Sequence, residues 1–350
     1  MTAVPAADGV LDTLGMFDAA AGLPEQVEAA AAAARGLAGL PDRAYVENVV
    51  LLGMGGSGIA GDVLVAVAGP FLPVPVTVAK SYDAPEFVGR GSLVFAVSFS
   101  GDTEETVEAA GEAYEAGADL VVVTTGGELG RLAADWGAPT VAVPDSIPQP
   151  RAALGAMAVP PLVVLAEMGL FPGADEWLRL AVEQLRRRRD QLIKPGSTAA
   201  AIADGIGRTI PLLHGAQAVG AAATTRWRAQ INENAKTPAF AAVHPELCHN
   251  EIAGWGQMGD ITRQVMSLVN LRHDAEHPQV ARRFELVEEM LREAVGTVVS
   301  VRAEGDGDLA QLLDLVLVGD FVSLHLAVAA GVDPGPVPVL TDLKRRLRSG

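Results

Sequence analysis

Residues 92–106 read SLVFAVSFSGDTEET, and the reading of this stretch decides the fold. Leu93 to Val97 is an unbroken apolar run, the pattern of a strand covered on both faces in a parallel sheet. It stops abruptly at Ser98, Ser100, Gly101, Thr103 and Thr106, the composition of a turn opening onto a helix. Ser and Thr are ordinary helix caps, but a cap needs one hydroxyl. Here Ser98, Ser100, Thr103 and Thr106 place four within nine residues. Short hydroxyls around the free N–H groups of a helix start predict a site for a phosphate group.

On the N-terminal side, the strand Val49–Leu52 runs into GMGGSGIAGD. Gly53, Gly55 and Gly58 fit the G-x-G-x-x-G dinucleotide fingerprint, whose confirmation is an acidic residue ending the next strand. That strand, VPVTVA, ends instead at Lys80, and Asp83 falls beyond it in a loop. The segment therefore reads as a second wall of the phosphate site, built from Gly56, Ser57 and the glycine N–H groups. On the C-terminal side come a helix over 104–116, a strand over 119–124 and a strand at Pro139–Val143. This alternation predicts a doubly wound parallel sheet with ligands at the carboxyl ends of its strands. Arg151 follows the fifth strand at a helix start, where a cation opposes the helix dipole and so is expected to face an anion.

The second half repeats the pattern. A linking apolar helix at Met157–Gly169 and a helix bearing Arg186–Arg189 lead to a strand at Thr209–Leu213 and a helix at Gln217–Gln230. Strands at Val265–Leu271 and Thr297–Arg302 alternate with helices near 279–294 and 308–330, before a proline-rich run and a short basic helix. The expected architecture is α/β, with subdomains at 1–155 and 156–332 and a C-terminal tail at 333–350.

Bulk properties narrow the function. A formal charge of −17 disfavours nucleic acid and anionic membranes, which need clustered cations, so Arg186–Arg189 reads as a solvated helix face. The single cysteine, Cys248, excludes an intrachain disulfide and fits a reducing compartment. The N-terminus lacks a basic region followed by an apolar one, and the apolar runs are interrupted by Gly, Pro or charge. A cytoplasmic protein acting on a small phosphorylated molecule is the expectation.

The densest polar stretch, residues 230–255, is QINENAKTPAFAAVHPELCHNEIAGW. Its histidines, cysteine and carboxylates raise the question of a metal, but C-x-x-C and H-E-x-x-H spacings are absent and Cys248 and His249 are adjacent. His273 and His277 fall in an expected loop. Neither a metal nor a cofactor is predicted. Acid–base work on a sugar phosphate suits these residues better: a carboxylate moves a carbon-bound proton, and histidine or lysine opens a ring.

The S-x-S-G-x-T-x-E-T pattern at 98–106 resembles the sugar-isomerase (SIS) domain. Pro150-Arg151-Ala152-Ala153, the N-E-N-A-K and H-N-E-I-x-G-W motifs, and L-K-x-x-L at 343–347 narrow the resemblance to the bifunctional phosphoglucose/phosphomannose isomerases. That resemblance implies two SIS-type subdomains, and interconversion of glucose 6-phosphate or mannose 6-phosphate with fructose 6-phosphate. It implies Glu233 as the proton-shuttling base and Arg151 as the charge facing the intermediate. Ring opening falls to His249 and Lys344. It also implies a homodimer in which His249 crosses to the partner's site, and a C-terminal hydroxyl that reads the sugar epimer. Between Asp333 and Lys344 only Thr341 offers one. The competing reading is a non-catalytic SIS module that binds a phosphosugar to regulate a partner; it would need neither Glu233 nor Lys344.

Overall fold

The computed structural model describes residues 11–347. Two short helices, α1 (Met16–Ala21) and α2 (Leu23–Ala34), precede a strand–helix alternation. It runs β1 (Asn48–Leu52), α3 (Gly55–Val67), β2 (Val76–Ala79), β3 (Ser92–Ser98), α4 (Glu104–Glu115), β4 (Asp119–Thr124), α5 (Gly127–Trp136) and β5 (Thr140–Ala142). All neighbouring strands are parallel, in the order β2-β1-β3-β4-β5. Every residue of β3 is buried, as expected of a central strand with helices on both faces.

Helices α6 (Leu154–Glu167), α7 (Ala174–Leu192) and α8 (Thr198–Ile206) lead to the second alternation. This comprises β6 (Ile210–Ala216), α9 (Gln217–Asn234), β7 (Phe240–His244), α10 (Gly259–Val265), β8 (Met266–Arg272), α11 (Pro278–Leu291) and β9 (Thr297–Arg302). Its parallel sheet has the order β7-β6-β8-β9, the same winding as the first four strands of the first sheet. The chain ends on α12 (Asp308–Ala330) and α13 (Pro338–Leu347). The two halves are fused through one apolar core: α3 packs on α9, α2 on α6 and α7, and α12 on α7, α8 and α9.

Three features depart from sequence expectation. Strand β7 (FAAVH) lies inside the polar 230–255 stretch, where its short apolar run Phe240–Val243 sits among polar residues; as an edge strand it is only partly buried. Of the cationic run on α7, Arg188 is buried, and Asp314 accepts its Nε and Nη2 at 2.7 and 2.8 Å, so this part of the run is not a solvated face. Helix α12 has 23 residues, and its most apolar 18-residue stretch has a mean hydropathy of 1.9, long and apolar enough to cross a membrane. Yet 83% of its apolar window is buried within the protein, and it carries Asp314 and Asp320. It is the central core helix, apolar all round because neighbours surround it.

The two aspartates organise that core. Besides Arg188, Asp314 accepts from Gln184 Nε2 at 2.8 Å and from the Glu304 N–H at 2.9 Å. One turn and a half later, Asp320 accepts Nε and Nη2 of buried Arg226 at 3.0 and 2.7 Å and Nε2 of Gln230 at 2.9 Å. Between them Gly319 lies flat against Trp227, where an added Cβ would fall 2.2 Å from Nε1. That nitrogen donates to the Leu315 carbonyl at 2.7 Å.

Asp314→Ala leaves buried Arg188 with only the exposed Glu304 carboxylate, 3.0 Å away, so unfolding in urea should show a loss of up to about 3–5 kcal/mol. Truncating the exposed Arg131, paired with Glu128, should change stability little by the same measurement. The end of β7 makes a second prediction. Burial, aided by His214, Arg272 and Arg283, pushes the His244 imidazole down to about 3. The unfolded chain, with its histidine near 6.5, then binds more protons, so stability is full above pH 6.5 and falls as pH drops toward 3. Urea midpoints measured from pH 7 to 4 should fall less steeply in His244→Gln than in the wild type.

Candidate active site

Strand order reverses between β1 and β3, the switch point at which ligands bind in open α/β sheets. The carboxyl ends of these two strands feed α3 and α4, and neither helix has a side-chain cap. The first N–H groups of α3, at Gly55, Gly56 and Ser57, precede its first internal hydrogen bond, which Gly58 N–H gives to the Met54 carbonyl at 3.1 Å. Beside them runs the 98–103 turn. Ser98 Oγ accepts the Gly101 N–H and donates to Thr103 Oγ1, both at 3.1 Å, and Ser100 Oγ accepts the Asp102 N–H at 3.2 Å. Ser57 Oγ accepts the Phe99 N–H at 3.3 Å, tying the two walls together.

Gly101 makes the turn possible. Its φ of +75° is left-handed, and a Cβ there would lie 1.8 Å from the Gly126 carbonyl oxygen. Ser100 is exposed and Thr103 half-buried, so they form the surface of the cradle, with Ser57 and Ser98 behind. Thr106 sits deeper: its hydroxyl is enclosed and has no hydrogen-bond partner.

The cradle abuts a buried arginine. Gly56 lies so close to the Pro150–Ala152 turn that an added Cβ would meet the Pro150 carbonyl at 3.3 Å and Arg151 Cα at 3.5 Å. Arg151 is 3% exposed and points into the junction of the two halves. Its Nε donates to Asn234 Oδ1 at 2.7 Å, and its Nη2 to the Pro334 and Gly335 carbonyls at 2.5 and 2.6 Å. Its Nη1 donates to Gln149 Oε1 at 3.2 Å and lies 3.6 Å from the Glu233 carboxylate. Burial pulls the Arg151 pKa below the ordinary arginine value, and Glu233 opposes that pull. Asn234 is held by Ser323 Oγ at 2.9 Å, and Arg226 donates to the Arg151 carbonyl at 2.7 Å, so the α12 network reaches the site.

Glu233 closes the last turn of α9 with its side chain 30% exposed, open to an incoming molecule. Lys236, which sequence reasoning gave no role, stands next to it, and Nζ donates to the Glu233 carbonyl at 2.6 Å. Its position three residues beyond Glu233 in the N-E-N-A-K motif was the available signal.

Two expected residues lie elsewhere. His249 is exposed on the Glu246–His249 turn, and no hydrogen bond or ion pair joins it to Arg151 or Glu233. Its segment is anchored from below: His214 Nε2 meets Glu251 Oε1 at 3.0 Å, and His244 Nδ1 lies 3.5 Å from Cys248 Sγ. Lys344 is exposed on α13, as is Thr341. Among the described residues no group of three or more His, Cys, Asp or Glu is placed to hold a metal ion. At the second sheet's own switch point, between β6 and β8, buried His273 fills the space and its Nε2 contacts the Ala216 carbonyl at 3.1 Å.

Residues 196–347 match the family model for the bacterial phospho-glucose isomerase C-terminal SIS domain. A bifunctional phosphoglucose/phosphomannose isomerase of Caldicellulosiruptor bescii is 31% identical, covering 95% of this chain and 98% of its own. One from Aquifex aeolicus is 33% identical over 86% and 91%. The fold resembles that of the C-terminal domain of glucosamine-fructose-6-phosphate aminotransferase from Francisella tularensis, with a TM-score of 0.66 at 16% identity over 92% of this chain and 97% of that one. Such identity over nearly the full length of both chains, on a sheet whose switch point carries the uncapped helix starts, means that this protein belongs to the family of bifunctional phosphoglucose/phosphomannose isomerases.

Proposed function

We propose that this protein interconverts glucose 6-phosphate or mannose 6-phosphate with fructose 6-phosphate through an enediolate. The observation that carries the reading is the Glu233 carboxylate 3.6 Å from the buried Arg151 guanidinium, at the edge of the switch-point cradle. The sugar phosphate is held by the free N–H groups of Gly56 and Ser57 and by the 98–103 turn. Ser100 and Thr103 lie outermost, with Ser98 and Ser57 organising them and Thr106 enclosed beneath.

In the open-chain aldose, Glu233 removes the C2 proton. The C2–H electron pair becomes the C1=C2 bond, and the carbonyl pair moves onto O1. Glu233 then returns the proton to C1 while the O2 proton passes to O1 and C2=O2 forms. A fixed positive charge lowers the barrier because it faces the oxygen that gains charge. Arg151 is pre-organised for this and needs no rearrangement. His249 and Lys344 serve ring opening on the strength of the family resemblance. Because His249 is exposed and away from Glu233 of its own chain, it is assigned to the site of a second copy in a homodimer. A regulatory module would require the cradle alone. The Arg151–Glu233 pair has no purpose in such a module, which favours the enzyme.

Glu233→Gln is nearly isosteric but cannot accept the C2 proton. Isomerisation should fall at least about 10²-fold, exchange of the C2 hydrogen with solvent deuterium should stop, and sugar phosphate should still protect the protein against heating. Normal deuterium exchange in this variant would place the base elsewhere. For Thr103→Val, loss of one donor to a charged group should raise the KM for fructose 6-phosphate about tenfold or more, with kcat little changed. An unchanged KM would remove Thr103 from the cradle.

A further inference from the structure

Lys236 lies just past the end of α9 with φ +55°, in the left-handed region. Glycine is the usual residue at that position after a helix, because a Cβ is strained there. A lysine held in such a conformation costs about 1 kcal/mol or more, and strain of this kind collects at functional sites. Its side chain folds back into the Arg151 cluster. Nζ donates to the Glu233 carbonyl at 2.6 Å and lies 3.5 Å from the Pro334 carbonyl, which already accepts from Arg151 Nη2 at 2.5 Å.

Two cations therefore converge on one carbonyl oxygen. The carboxylates facing them are Glu233, Asp333 and Asp320; Asp333 is engaged by the Thr13 hydroxyl at 2.6 Å and the Gly335 N–H at 2.9 Å, and Asp320 is paired with Arg226 at 2.7 Å. Of the five N–H groups that any guanidinium has, Arg151 commits four to protein acceptors. The Lys236 ammonium has three protons, and the two carbonyls take at most two. Beside the mutually paired Arg226 and Asp320, the cluster thus holds the charges of Arg151 and Lys236, one available carboxylate and a spare donor on Lys236. That balance suits an anion forming as Glu233 becomes neutral.

We propose that Lys236 is a further catalytic residue, its ammonium donating a hydrogen bond to the substrate oxygen that turns negative when Glu233 removes the C2 proton. This rests on the reading of Glu233 as base. In the step, the proton goes from C2 to Glu233, the electron pair settles on O1, and Lys236 and Arg151 share the new charge. When the proton returns to C1, the O2 proton moves to O1 and no net charge remains. Burial and the Arg151 charge pull the Lys236 pKa below the ordinary lysine value, against opposition from Asp333 and Glu233. The ammonium is then lost at a lower pH than a solvated lysine would lose it, which sets an alkaline limb on kcat.

The plain alternative is that Lys236 only caps the carbonyl end of α9, and Lys236→Gly separates the two. Glycine relieves the left-handed strain, so the melting temperature should hold or rise. The kcat for fructose 6-phosphate should fall on the order of 10²-fold, as on loss of one donor to a developing oxyanion. Lys236→Arg keeps the charge and should recover part of that loss, with its alkaline limb moved to higher pH. A Lys236→Gly variant with wild-type kcat would overturn the proposal. So would activity lost only in proportion to folded protein. Glu233→Gln runs in the same assay: a fully active Lys236→Gly beside an inactive Glu233→Gln overturns the Lys236 role alone. A fully active Glu233→Gln overturns both.

Discussion

A guanidinium buried at 3% exposure must have its donors satisfied or the fold loses several kcal/mol, and Arg151 meets that requirement from three directions. Its partners come from Gln149 beside the first sheet, Asn234 at the end of α9, and the Pro334–Gly335 carbonyls that lead into α13. None of these segments can shift without leaving a buried N–H unpaired. The site's geometry therefore follows from the arginine: Glu233 is the residue before Asn234, and Lys236 is two beyond it. The hydroxyl-lined cradle is fixed to the same point, because Gly56 allows α3 to press against the backbone of Pro150 and Arg151.

The polar core behind the site gives it rigidity. Asp320 holds Arg226 and Gln230, Arg226 holds the Arg151 carbonyl, and Ser323 holds Asn234. These groups sit on α12, which is almost wholly apolar and packed, and on the buried face of α9. In such surroundings hydrogen bonds to charged groups are strong and an orphaned partner is costly, so the network has one low-energy arrangement. Catalysis by fixed charge requires that property, since a donor that must reorient during the reaction loses much of its benefit.

The two sheets share a winding order but divide the work. The first keeps its switch point open, with two uncapped helix starts and a turn rich in hydroxyls. In the second, the corresponding place is filled by His273. Its outer edge instead carries the 246–254 turns, supported by the His214–Glu251 and His244–Cys248 contacts, which present His249 at the surface. A duplicated framework thus keeps an open switch point in one half and places an exposed histidine at the margin of the other.

The sequence alone determined the strand–helix alternation, the parallel sheets and the turn of hydroxyls and glycine that ends the central strand. An apolar run ending in hydroxyls and glycine is a local pattern, so strand, turn and helix start can be read from it. It also pointed to Arg151, a cation at a helix start that calls for explanation, while Glu233 came from the resemblance of the N-E-N-A-K motif. Tertiary structure decided what depends on partners far along the chain. Arg188 looked like one of four solvated cations until Asp314, 126 residues away, made it a core residue. Edge strand β7 is short and set among polar residues, and its pairing with β6 along one side shows only in the fold. The enclosure of Thr106, the exposure of His249 and the left-handed backbone of Lys236 were likewise invisible in one dimension. Burial and backbone strain are set by which segments meet, and the sequence pattern states only which residues are able to meet.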